Sequence, residues 1–169
     1  MTPVFRPATR SDMPGVAALF ERSFVHTFGH LYRAEDLDTF LAQSTVEAWE
    51  KERDDQRFAF FLAEAEGQIV GFVKLGPSSL PVETDRPFIE LRTIYLHPDW
   101  LGRGLSAPLM DWAIAEARRR GAEELYLTVY VDNVRARRLY ERYGFVEVGT
   151  YAFMVGAHAD EDIIMRLTL

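Results

Sequence analysis

The sequence predicts an α/β fold (an α+β mixed sheet) in a single domain over residues 1–169: N-terminal helices, then a central mixed β-sheet with βαβ crossovers. Three observations predict it. A chain of 169 residues that is 48% hydrophobic and 27% charged has the composition of one globular domain with a sizeable core. Its first third carries apolar residues at helical spacing. Its second half alternates strand-like and helix-like stretches, the pattern of right-handed crossovers between parallel neighbours.

The elements follow in order. Ser11 or Asp12 can cap a first helix with Pro14 in its opening turn, and Val16, Leu19, Phe20 and Phe24 share one face. Leu37, Phe40 and Leu41 mark a second amphipathic stretch, and Val46 and Trp49 a third, which ends in the charged "EKERDD". "FAFFLAEAEGQIVGFVKL" reads as two strands about a turn at Glu66-Gly67. "GPSSLPVETDRP", with three prolines, is a loop with too little chain on either side to divide two domains. Then come "FIELRTIYL", a helix from Ser106 to Arg120, "ELYLTVYV", a helix from Val134 to Tyr143 with Gly144 as its C-cap, "GFVEVGTY" and "DIIMRLTL". The strands around 88–96 and 124–131 are expected to be parallel. Arg118 to Arg120 suit a helix C-terminus.

Composition excludes several functions. A net charge of -7 argues against a phosphate-neutralising surface, so no nucleic-acid partner is expected. The N-terminus lacks an apolar signal region and no stretch approaches a membrane span, which leaves no membrane partner and a cytoplasmic location as the expectation. The chain has no cysteine, and its four histidines (His26, His30, His97, His158) lack ligand spacing, so no metal is expected.

The stretch "LHPDWLGRGLSAPLMDW" runs from a strand through a glycine-rich turn into a helix. A helix N-terminus presents unpaired N–H groups and a positive dipole end, which favour an anion, and Gly102 and Gly104 permit its close approach. The plainer reading is a turn that needs positive φ. The P-loop lysine and hydroxyl and the third Rossmann glycine are missing, which argues against ATP and NAD. Downstream, Asn133 stands where a strand gives way to a helix and Tyr140 lies two turns on along the same face. An N-cap and a half-buried core aromatic are the structural alternatives for these two.

Taken together, "HPDWLGRGLSAPLM" and "NVRARRLYERYGF" in this order make the chain similar to the GNAT superfamily of N-acetyltransferases over nearly its whole length, most specifically from Glu90 to Phe145. "TFGHLY", "EDLDTFL", "IELRTIYL" and "GTYAFMVGAHADEDIIMRLTL" resemble its bacterial PaiA-like polyamine branch. The family's pyrophosphate motif, [QR]-x-x-G-x-[GA], falls on Leu101 to Ser106; Gly104 fits it, and Leu101 and Ser106 depart from it. The resemblance implies a GNAT-like fold with acetyl-CoA as cosubstrate. It places backbone groups of Ile94, Tyr95 and Leu96 on the pantetheine arm, Gly102, Arg103, Gly104, Leu105, Ser106 and Ala107 around the pyrophosphate, and Asn133 on the CoA arm. Tyr140 then stands at the thioester sulfur as general acid and Glu90 in the position of general base. Arg135, Arg137 or Arg138 could meet a CoA phosphate or simply form a solvated face.

The chemistry fits those residue types. A thioester is already activated, so an amine can attack directly once it is neutral, and the leaving thiolate then needs a proton. An alkylammonium of pKa ~10.4 is neutral in about one molecule in a thousand at pH 7, so a base helps. Glu90 could instead pair with Arg92. The expected partner is a small-molecule primary amine, a polyamine among the options; a homodimer is a compatible assembly. Glu35, Asp36 and Asp38 suit an amine but also an exposed acidic helix. A non-catalytic acyl-CoA sensor on the same fold, or an α/β protein whose glycines are purely structural, are the competing readings.

Overall fold

A computed structural model describes residues 2–169. The chain opens with a short edge strand, β1 (Val4–Pro7), which the sequence reading missed because four residues carry no period. Helix α1 (Met13–Phe28) follows, with Pro14 in its first turn. Asp12 precedes it, but its carboxylate caps no helical N–H; it accepts hydrogen bonds from the Arg6 guanidinium and from Thr9. The Arg6 contact holds it well below the usual carboxylate range. Two short helices, α2 (Ala34–Leu41) and α3 (Val46–Asp54), complete the N-terminal layer.

Strands β2 (Ala59–Ala65) and β3 (Gln68–Gly76) form the expected hairpin. Ala65 faces Gln68 across a two-residue turn in which Glu66 and Gly67 have φ of 53° and 76°. Two consecutive positive φ values match the right-handed twist of the flanking strands. The proline-rich loop that follows is fastened to the sheet by Ser78, which donates to Glu90, and by Thr84, which donates to Glu124.

The remaining elements are β4 (Phe88–Leu96), α4 (Ser106–Arg119), β5 (Glu124–Tyr130), α5 (Val134–Arg142), β6 (Val146–Val155) and β7 (His158–Thr168). They build one seven-stranded mixed sheet in the order β1-β2-β3-β4-β5-β7-β6, with β4 and β5 its parallel pair. One face packs on α4 and α5 through Val73, Leu75, Leu109, Met110, Leu125, Leu127 and Phe145. The other packs on α1–α3 through Phe20, Phe24, Trp49, Leu62 and Phe72. Asp36 is buried, not exposed as its acidic helix suggested: it accepts from the Ala157 N–H at 2.9 Å and ties α2 to the β6–β7 turn. Among the described residues no helix is long and apolar enough to cross a membrane.

Candidate functional site

β4 and β5 pair only at their bases. Phe88, Ile89 and Glu90 face Glu124, Leu125 and Tyr126, and there the ladder stops. Each strand is held on its other edge: β3 follows β4 from Glu90 to Leu96, and β7 follows β5 throughout. The β3–β4 register skips Arg92, and an extra residue of this kind bends and over-twists its strand. The sheet is therefore two leaves joined at the base, and the gap between them opens into a cleft of about 890 Å³.

The β4 wall of this gap is an unpaired sheet edge. The His97 N–H donates to the Val70 carbonyl at 2.8 Å, which sets the antiparallel alternation. Tyr95 accordingly spends its backbone groups on Phe72, whereas those of Ile94 and Leu96 point at the gap. The Leu96 carbonyl already accepts from Ser23 Oγ at 2.8 Å. Of the three residues expected to offer backbone groups, Tyr95 instead contributes its side chain, which lines the cleft.

At the mouth of the gap stands the glycine turn. Gly102 and Gly104 have φ of 75° and 82°, values that L side chains adopt only with strain. α4 begins at Ser106 with no side-chain cap at Leu105, so the amides of its first turn have no partner from that source. Ser106 and Ala107 line the cleft. The Leu105 side chain is buried against Ala63, Ala65 and Val70 and anchors the turn from below. Arg103 lays its guanidinium 5.2 Å from the Trp100 ring centre. Arg135 and Arg142 reach the cleft, whereas Arg137 donates to the Val131 carbonyl.

Asn133 caps α5, accepting from the Ala136 N–H at 3.3 Å, and also lines the cleft. Tyr140, buried at 6% exposure, packs edge-on against Phe145 and lines the cleft from α5. Burial alone pushes its hydroxyl up, so it is held as the phenol. Tyr95 faces it from the first leaf; burial and then Tyr140 push its hydroxyl up as well.

Glu90, expected either as general base or as a partner of Arg92, makes the second contact. Its carboxylate accepts from Ser78 Oγ at 2.8 Å and lies 3.1 Å from Arg92 Nε. Arg92 lines the cleft and Glu90 does not. Two residues apart across a bulge, they share a face, and the loop brings Ser78 onto the same carboxylate. Burial still pushes Glu90 up, against the opposing pull of Arg92.

Two functional candidates escaped the sequence reading. Asp160 and Asp162, alternate residues of β7, line the opposite wall of the cleft at 6% exposure each. Asp160 accepts from the Tyr32 hydroxyl and lies 3.2 Å from His158. Asp162 pairs in register with Tyr130 and has no cationic partner among the described residues; burial, then Asp160, push it up to about 7, against the Thr128 hydroxyl. The spacing "DED" could have signalled two carboxylates on one strand face, but not that this face is buried. Around them stand Phe24, Phe28, Phe40 and Phe153, an aromatic wall.

Comparison with known proteins agrees with this geometry. Residues 16–145 match the acetyltransferase (GNAT) family. An uncharacterized N-acetyltransferase of Mycobacterium bovis is 31% identical over 92% of this chain and 96% of its own. Among solved structures, PaiA N-acetyltransferase from Thermoplasma acidophilum in complex with coenzyme A superposes with a TM-score of 0.81 at 20% identity over the full length of both chains. An acetyltransferase from Salmonella typhimurium with its cofactor acetyl-CoA gives 0.74 at 23% identity, covering 100% of this chain and 95% of that one.

Proposed function

We propose that this chain, which belongs to the acetyltransferase (GNAT) family, moves the acetyl group of acetyl-CoA to a primary amine on a small cationic molecule, with Tyr140 as proton donor to the leaving thiolate. The observation that carries the reading is the opened β4–β5 pair: a free sheet edge at Ile94 and Leu96 leads to a positive-φ glycine turn and the uncapped start of α4. A flexible amide-bearing arm can add to the edge as an extra strand. The pyrophosphate it carries would meet the amides of Gly102 to Ala107, where the dipole favours an anion. Leu101 and Ser106, which depart from the family motif, leave that backbone cradle intact; Arg135 and Arg142 add positive charge at the rim.

With the arm in the gap, the thioester lies between the leaves near Tyr140. Displacing a thiolate of pKa ~8.5 by proton transfer from a phenol of pKa ~10 costs roughly 2 kcal/mol in water. Burial raises both groups, and it keeps Tyr140 protonated at every physiological pH. Asn133 fixes the start of α5 and hence the reach of Tyr140. Glu90 steadies Arg92 at the narrow end of the cleft, and as base it would have to act through an intervening water.

The acceptor end supports an amine. Carboxylates at Asp160 and Asp162 beneath an aromatic wall suit an ammonium on an alkyl chain, the makeup of a polyamine among other small amines. The test is a panel of primary amines with acetyl-CoA, followed by free-thiol release and by the mass of the acetylated product. Amine-dependent thiol release supports the reading. Tight acetyl-CoA binding with no turnover on any amine would make the protein an acyl-CoA sensor instead.

A further inference from the structure

We propose that Asp162 is the general base of this cleft: its carboxylate takes the proton from the ammonium of the acceptor before the amine attacks the thioester. The inference rests on the acyl-transfer reading above and concerns which residue performs one step of it. Asp162 lies on the same sheet face as Thr128 and Tyr130 and looks across the gap, beyond the point where β4 and β5 part. A thioester held between the leaves would therefore have Asp162 on the acceptor side and Tyr140 on the helix side. Among the described residues Asp162 is also the cleft carboxylate without an ion-pair partner: Glu52 holds Lys74 at 2.6 Å, Glu90 lies behind Arg92, and Asp160 is engaged by the Tyr32 hydroxyl and the His158 ring.

The groups that face Asp162 explain its basicity. They are Asp160 on its own strand with His158 beyond it, Tyr130 and the Thr128 hydroxyl from β5, Tyr151 from β6, Tyr95 from β4, and Tyr32 after α1; none carries a fixed positive charge. Burial and Asp160 push Asp162 up to about 7, a value matched to proton transfer near neutrality. The same negative field draws in an ammonium. The balance closes. The ammonium gives one proton to Asp162, the neutral amine attacks, and the C–N bond forms. The C–S bond then breaks, the thiolate takes the Tyr140 proton, and the proton still carried by the new amide nitrogen returns to the tyrosinate. Asp162 releases its own proton to solvent, so the net reaction sheds one proton per acetyl transferred.

The test compares wild type, Asp162→Asn and Glu90→Gln with acetyl-CoA and two nucleophiles, propylamine and hydroxylamine, the second largely neutral at pH 7. For Asp162→Asn the expected result is a 10²–10⁴-fold loss with propylamine at pH 7 that shrinks as pH rises, and a much smaller loss with hydroxylamine. Glu90→Gln should lack this signature. Equal losses with both nucleophiles, or an unchanged pH profile, would overturn the assignment. A carboxyl NMR titration of the wild type keeps the proposal testable if the variant folds poorly or propylamine is not turned over: Asp162 must titrate near neutrality, and an ordinary titration near 4 overturns it. The acetyl-CoA-induced melting shift, run on the same samples, separates this failure from failure of the acyl-transfer reading. No shift in wild type sinks that reading, whereas a shift with Asp162 indifferent sinks only the base.

Discussion

The Glu90 carboxylate lies 3.1 Å from Arg92 Nε, the pairing that was the alternative to a role as general base. Arg92 also donates to the Pro77 carbonyl at 2.7 Å, so one ion pair fastens both the bulge that parts β4 from β5 and the loop above it. Glu90→Gln turns an amide towards the guanidinium and should cost ~1–3 kcal/mol of stability. At ~2–4 °C per kcal/mol for a chain of this size, the melting temperature should fall by several degrees. The pH profile of kcat/KM should keep its shape. A loss concentrated at neutral pH and relieved at high pH would return the base to Glu90.

Tyr140→Phe removes one hydroxyl and keeps the ring against Phe145. Acetyl-CoA binding and melting temperature should stay near wild type, while kcat falls 10²–10⁴-fold, or ~3–5 kcal/mol of barrier. Single-turnover thiol release is the measurement, since slow product release would mask the chemical step. An acyl donor with a thiol of lower pKa should recover much of the rate. An unchanged single-turnover rate would remove Tyr140 from the mechanism.

Gly104→Ala separates conformation from contact. An added Cβ meets nothing within 4 Å of Gly104, so the penalty comes from φ of 82° alone, ~1–2 kcal/mol. The strained turn lies where the pyrophosphate is expected, so a shift of its backbone would disturb that cradle. Chemical denaturation should register the stability loss, and calorimetry should show acetyl-CoA affinity weakened by roughly tenfold, about 1.4 kcal/mol. Unaltered affinity would mean that the turn is only a turn.

Much of the fold could be read from local pattern. Helical spacing in α1 and the alternation after residue 88 pointed to the helices and to the parallel pair at β4 and β5. What escaped was non-local. The insertion of β7 between β5 and β6 depends on pairing across the whole C-terminal third, which no window of sequence contains. The site divides the same way. Gly102 and Gly104 could be found because their backbone needs are written into residue type, and Tyr140 because two helical turns fix its direction from Asn133. Glu90 was legible as a position, with Arg92 as an optional partner, but Ser78 was not, since it arrives from a loop. Asp162 was legible only as one of two carboxylates on a strand face, not as a buried group: its neighbours Tyr32, Tyr95 and Tyr130 come from three other parts of the chain.

The raised Asp162 has a consequence for stability. Its folded pKa, about 7, lies above the unfolded value of 3.8, so folding favours the protonated acid. That contribution is fully present below the unfolded value and is lost as pH rises through the folded one. Asp162→Asn should therefore melt higher than wild type at pH 8 and level with it near pH 3, even though it is catalytically impaired. Thermal melts across that range are the check; a variant less stable than wild type at pH 8 would mean that the carboxylate is held by favourable contacts.

If the gap between β4 and β5 holds acetyl-CoA, thermal unfolding with and without that molecule should show it. At a concentration 100-fold above Kd the bound state should be stabilised by ~2.7 kcal/mol, a rise of several degrees in Tm, with calorimetry showing one site per chain. A melting temperature unmoved by saturating acetyl-CoA, together with no heat of binding, would mean that the gap does not hold this molecule.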